Sequence, residues 1–129
     1  MKHILLLITV IPILAVGQIQ VNYANVPEKE GRYGSYLTKS GQVVSFNDSV
    51  TIGMPTVPNG FRHITTARLS ADNVISGRTV AIKRIRTFKR KRLRSKVFLE
   101  VRPYGLARFL IDYEIALKSS EIEGPSQTE

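Results

Sequence analysis

Two runs of β-branched and apolar residues, Thr79–Phe88 and Val97–Arg102, flank a stretch that is almost entirely basic. That arrangement constrains the fold more than any other feature of the chain. Alternation along the first run puts Val80, Ile82, Arg84, Arg86 and Phe88 on one face, yet Ile85 falls on the other. A phase slip of this kind between Ile82 and Ile85 predicts a β-bulge near Lys83-Arg84. In the second run Val97, Leu99 and Val101 share the inward face, so the pair reads as a hairpin with Lys89–Lys96 as a projecting loop. The competing reading is one basic helix over Val80–Leu99, with Ile82, Ile85, Phe88, Leu93 and Val97 on one side. Val80, Ile82, Ile85, Val97 and Val101 are β-branched, and Leu93 is the one strongly apolar residue between Phe88 and Val97. Both facts favour strands.

Short strand signals punctuated by turn residues run through the rest of the chain. Gln42–Phe46 and Ser49–Gly53 flank Asn47-Asp48, which predicts a tight hairpin or a kinked strand, with Val50 and Ile52 on one face. Pro55, Pro58, Asn59 and Gly60 make a loop, and in Phe61–Thr66 the residues Phe61, His63 and Thr65 oppose Arg62, Ile64 and Thr66. A further strand is expected over Leu106–Ile111, then a short helix over Tyr113–Ser119 with Asp112 as its N-cap. The fold class implied is mainly β, a small antiparallel barrel or rolled sheet (SH3-like or OB-like) with a short C-terminal helix. Residues 18–34 read as an extended N-terminal segment, residues 35–119 as the β-rich domain, and residues 120–129 as a disordered acidic tail.

The start of the chain bears on where such a domain would work. Met1-Lys2-His3 is followed by a fourteen-residue apolar run, Ile4–Gly17, broken only by Thr9 and Pro12. Ala15-Val16-Gly17 places small residues where a signal peptidase reads, so residues 1–17 are expected to be a signal peptide cleaved before Gln18. The implied location is periplasmic or extracellular. Without cysteine there is no disulfide, so stability must come from packing, which the 112 residues from Gln18 onward can supply.

Residues 18–129 carry a formal charge of +8, and half of their bases lie in the fourteen residues from Lys83 to Lys96. These are Lys83, Arg84, Arg86, Lys89, Arg90, Lys91, Arg92, Arg94 and Lys96, the candidate polyanion-binding residues. Arginine outnumbers lysine among them, and guanidinium forks suit phosphate, sulfate and carboxylate groups. Two alternatives compete: charge that keeps sheet edges from pairing, and an internal counter-ion supplied by the acidic tail. His63, the one histidine after residue 17, has no cysteine or close carboxylate spacing to join in a metal site. Glu100, Asp112 and Glu114 are the only acids placed for acid–base work, and ion pairing with Arg102 or Arg108 accounts for such residues equally well.

The strand spacing resembles that of small uncharacterised exported bacterial β-domain proteins, over the whole chain from Gln18. The resemblance has no sharp motif and transfers no catalytic or binding residue. The sequence therefore implies an exported, non-enzymatic binding module without a cofactor, its basic hairpin holding an anionic polymer or envelope surface: a glycan, a phospholipid or extracellular nucleic acid. The alternative is a structural or assembly subunit of an exported or cell-envelope complex that binds a protein partner through exposed strand edges.

Overall fold

A computed structural model describes residues 19–67, 69–89 and 94–126, with the backbone alone at 125 and 126. The expected signal peptide (residues 1–17), the crest residues Arg90, Lys91 and Arg92, and residues 127–129 lie outside the described residues. In chain order the elements are β1 (Gln20–Asn22), β2 (Gly31–Tyr33), β3 (Ser35–Leu37), β4 (Val43–Ser45), β5 (Ser49–Ile52), β6 (Gly60–Thr66) and β7 (Leu69–Asp72). There follow β8 (Thr79–Phe88), β9 (Lys96–Val101), β10 (Phe109–Asp112), α1 (Tyr113–Lys118) and β11 (Ile122–Ser126). The protein is mainly β with one short helix near its C-terminus.

The ten-residue β8 organises the molecule. One of its edges pairs with β9 along most of its length, from Ile82↔Val101 to Phe88↔Lys96. Its other edge is shared in tandem, by β5 over Thr79–Ala81 and by β2 over Ile85–Thr87. The ladder shifts register between Ile82 and Arg84, where the sequence calls for a bulge. That extra residue lets Ile82 and Ile85 both reach the core, where each is fully buried. The hairpin, not the basic helix, is thus the form taken by this segment.

The larger sheet runs β11-β5-β8-β9-β10-β6-β7, with β2 beside β8, and the smaller runs β1-β3-β4. One hydrophobic cluster joins them, drawing Val21, Tyr36 and Val44 from the small sheet and Ile52, Ile64, Ile82, Ile85, Leu99, Val101, Ile111 and Tyr113 from the large sheet and helix. The sheets do not close into a barrel, which corrects the SH3-like and OB-like expectation. The path of the larger sheet ends at β11 and β7, which do not pair with each other. Within it, the ladder of β6 with β7 shifts register between Gly60 and Thr65, and there the backbone N–H groups of Arg62 and His63 donate to the buried carboxylate of Glu121, both at 2.7 Å, so a side chain satisfies them in place of a ladder partner.

The structure decides or refines further expectations. Asn47-Asp48 joins strands of different sheets and so makes a kink, not a hairpin, with Asn47 at φ 75°. The strand sought at Leu106–Ile111 begins only at Phe109, after a turn that leaves Leu106 exposed. Asp112 holds the N-cap position without a side-chain capping bond, because its carboxylate pairs with Lys96 at 3.0 Å. Within the segment read as a disordered tail, Ile122–Ser126 forms β11 against β5, while the extended N-terminal segment contributes β1 and β2.

Candidate anion-binding face

Pleating turns the residues between the core positions of β8, β9 and β10 outward. Register then places them in rows: Arg84 opposite Glu100 opposite Leu110, and Arg32 of β2 opposite Arg86 opposite Phe98 opposite Asp112. Arg102 follows two residues after Glu100, and Arg108 precedes Leu110 by two, so both arrive on this side from the ends of β9 and β10.

Glu100 lies at the centre of these groups. Its side chain is 0% exposed, although it sits on the face turned away from the core. Four guanidinium groups cover it: Arg86 at 3.5 Å, Arg102 at 3.7 Å, Arg84 at 3.9 Å and Arg108 at 4.0 Å. Among the described residues only Arg86 Nη1 donates a hydrogen bond to it, to Oε1; Oε2 accepts none there, and Arg102 Nε donates none. The guanidinium of Arg86 also lies 4.5 Å from the centre of the Phe88 ring, which meets Phe98 edge-to-face at 5.5 Å. Four positive groups around one carboxylate leave a local formal charge of +3, with the arginine side chains 20–56% exposed.

The structure divides the candidate crest residues. Arg84 and Arg86 belong to the Glu100 cluster, Lys89 pairs with Glu28 at 3.5 Å, and Lys96 with Asp112 at 3.0 Å. Lys83, at the bulge, and Arg94 are exposed. The counter-ions thus come from Glu28, Glu100 and Asp112; in the tail, Glu123 pairs instead with Thr51 of β5 in the ladder. Arg32, Arg102 and Arg108 belong to the same face, yet they lie outside the basic run and only the strand register brings them in. Of these, Arg102 and Arg108 were legible as ion-pair neighbours of Glu100; Arg32 had no signal.

Beside this face is a cleft of about 980 Å³, lined by Glu28, Tyr36, Ser95, Lys96, Asp112 and Glu114 among others. Its acids are engaged: Glu114 accepts from the Tyr36 hydroxyl and from Lys39 N, and Asp112 from Lys96. Burial, and then the hydrogen bond to Glu114, push the Tyr36 hydroxyl far above the ordinary tyrosine range. Burial, with a smaller push from the Glu114 charge, raises Tyr113 to about 12. Glu100, Asp112 and Glu114 each have a different basic or hydroxyl partner. His63 contributes its backbone N–H to Glu121, and among the described residues no group of three or more metal-ligating side chains occurs.

Fold and face together define an open-sheet, mainly β protein with an arginine cluster built over an acidic centre. Comparison of the chain with protein families, curated proteins and solved structures finds no match.

Proposed function

We propose that this protein is an exported, non-enzymatic binding module that holds an anionic polymer or surface, such as an envelope glycan, a phospholipid headgroup layer or extracellular nucleic acid. The observation that carries this reading is the convergence of Arg84, Arg86, Arg102 and Arg108 on Glu100, with Arg32 in the adjoining row. Protection of sheet edges does not account for Arg84 and Arg86, since β8 is an interior strand with partners on each side. A polyanion laid across the face would release counterions, and its affinity would fall steeply as salt rises.

Retention on immobilised heparin, measured against salt, tests the reading. Neutralising Arg90, Lys91, Arg92 and Arg94 together, and separately Arg32 and Arg108, is expected to lower the eluting salt concentration while leaving the thermal transition in place. Unchanged retention in both variants would overturn it. Intact mass and cell fraction test export: the account expects a species beginning at Gln18 outside the cytoplasm.

A second reading, an assembly subunit, is favoured by the outer edge of β7, which has no neighbour in the sheet order, and by the exposed Leu69 and Val74 next to it. It requires defined oligomers or a co-purifying partner that survive moderate salt.

A further inference from the structure

We propose that the arginines around Glu100 form a discrete site for one tetrahedral oxyanion, a phosphate or sulfate ester group, with Glu100 as its positioning residue. The proposal rests on the anion-binding reading of this face and makes it specific.

The geometry of the ion pairs supports a built site. A carboxylate fully engaged by arginine makes paired bonds of roughly 2.7–2.9 Å. Here the four contacts span 3.5–4.0 Å and yield one hydrogen bond, at the long limit. The guanidinium groups are gathered but not consumed, so most of their N–H donors remain for another acceptor. They also arrive from three separate places, the middle of β8, the end of β9 and the entry to β10. Such convergence lets planar forks meet different oxygens of a tetrahedral group, which a linear run of bases cannot do.

The acid at the centre is the second part of the argument. A patch that attracted anions through its field alone would be weakened by a buried negative charge, and burying that charge costs desolvation. What Glu100 supplies is placement: without it, Arg84, Arg86, Arg102 and Arg108 would repel one another and splay into solvent. The remaining charge of +3 exceeds what a second carboxylate would neutralise; a phosphate monoester, about −1.5 to −2 at pH 7, takes up more of it, and a sulfate ester, with a single charge, competes through its three oxygens rather than its charge.

The test is calorimetric titration of the full chain, as purified, with inorganic phosphate and separately with sulfate, in low-salt buffer with chloride as the ionic-strength control. Saturable binding of one ion per chain is expected, and the stronger of the two arms identifies the ester type. The decisive variant is Glu100→Gln, which adds a positive charge to the cluster. A purely electrostatic patch would bind phosphate more tightly in this variant, whereas the positioned site loses about tenfold, the effect of one charge-assisted hydrogen bond. Should Glu100→Gln fail to fold, Arg108→Gln, the most exposed member, carries the same expectation of weakened one-to-one binding without loss of the thermal transition. Phosphate affinity equal to or above wild type in Glu100→Gln would overturn the proposal. So would a response to phosphate and sulfate no different from that to chloride. If heparin retention persists in that last case, the discrete site fails while the polymer reading stands; loss of both rejects both.

Discussion

Glu100 and Glu121 are both fully buried carboxylates on one small protein, and they are buried in opposite ways. Glu121 is met by neutral donors fixed in the fold: the N–H groups of Thr56, Arg62 and His63 and the Thr56 hydroxyl. Burial pushes its pKa up, but these hydrogen bonds, with a smaller contribution from His63, outweigh burial and hold it below the ordinary carboxylate value. Glu100 is met by four partly exposed cations and a single long hydrogen bond. The first arrangement is saturated and fastens the 54–60 loop and the irregular start of β6 to the turn before β11. The second is unsaturated and leaves positive charge facing solvent. One carboxylate therefore serves stability, and the other, on the proposed function, serves recognition.

Replacing each acid should expose that division most strongly. Glu121→Ala strips four donors of their acceptor in a buried site and is expected to cost on the order of 3–5 kcal/mol, read by denaturant unfolding. Glu100→Gln should cost less, about 1–2 kcal/mol, and, because the variant holds anions more weakly, added sulfate should stabilise it less than wild type, whereas the Glu121 variant should gain as much from sulfate as wild type does. Equal losses, or equal stabilisation of wild type and the Glu100 variant by sulfate, would break the comparison.

Titration sharpens it. Because Glu121 has a depressed folded pKa, its contribution is complete above the unfolded value of 4.5 and disappears as pH falls through the lower folded value. Acid unfolding should therefore shift to higher pH when Glu121 is replaced. Tyr113 acts in the other direction: with its hydroxyl raised from 10.0 to about 12, its contribution is present below pH 10 and lost as pH climbs toward 12. Tyr113→Phe should flatten that alkaline decline in a pH series of thermal melts. The smallest expected effect is at Arg108, whose side chain is 56% exposed. Arg108→Gln should change stability by less than about 0.5 kcal/mol, a surface ion pair being worth little, and still weaken anion binding.

How much of this the sequence discloses depends on the range of the interactions. The slip between Ile82 and Ile85 reveals the bulge because both residues must reach one core from a single strand. Val97, Leu99 and Val101 reveal β9 for the same local reason. Openness of the sheet was not legible, since it turns on whether the end strands β11 and β7, far apart in the chain, pair with each other. Nor was β2 legible, since Gly31-Arg32-Tyr33 is too short to show a period and gains its place only from Ile85–Thr87. The site shows the same split. A run of bases from Lys83 to Lys96 stands out in composition, whereas the burial of Glu100 follows from arginines on β8, just after β9 and just before β10 closing over it. Alternation along β9 assigns Glu100 to the outward face, correctly, and for that reason predicts it exposed.

The most direct test of the division between the two acids is a nitrogen–proton NMR titration of the full chain with inorganic phosphate, following both backbone amides and arginine Nε–H groups. The account predicts saturating shifts at the Nε–H groups of Arg84, Arg86, Arg102 and Arg108, with the Arg62 and His63 amides that hold Glu121 unmoved. Shifts spread evenly over every arginine, or concentrated at Arg62 and His63, would contradict it.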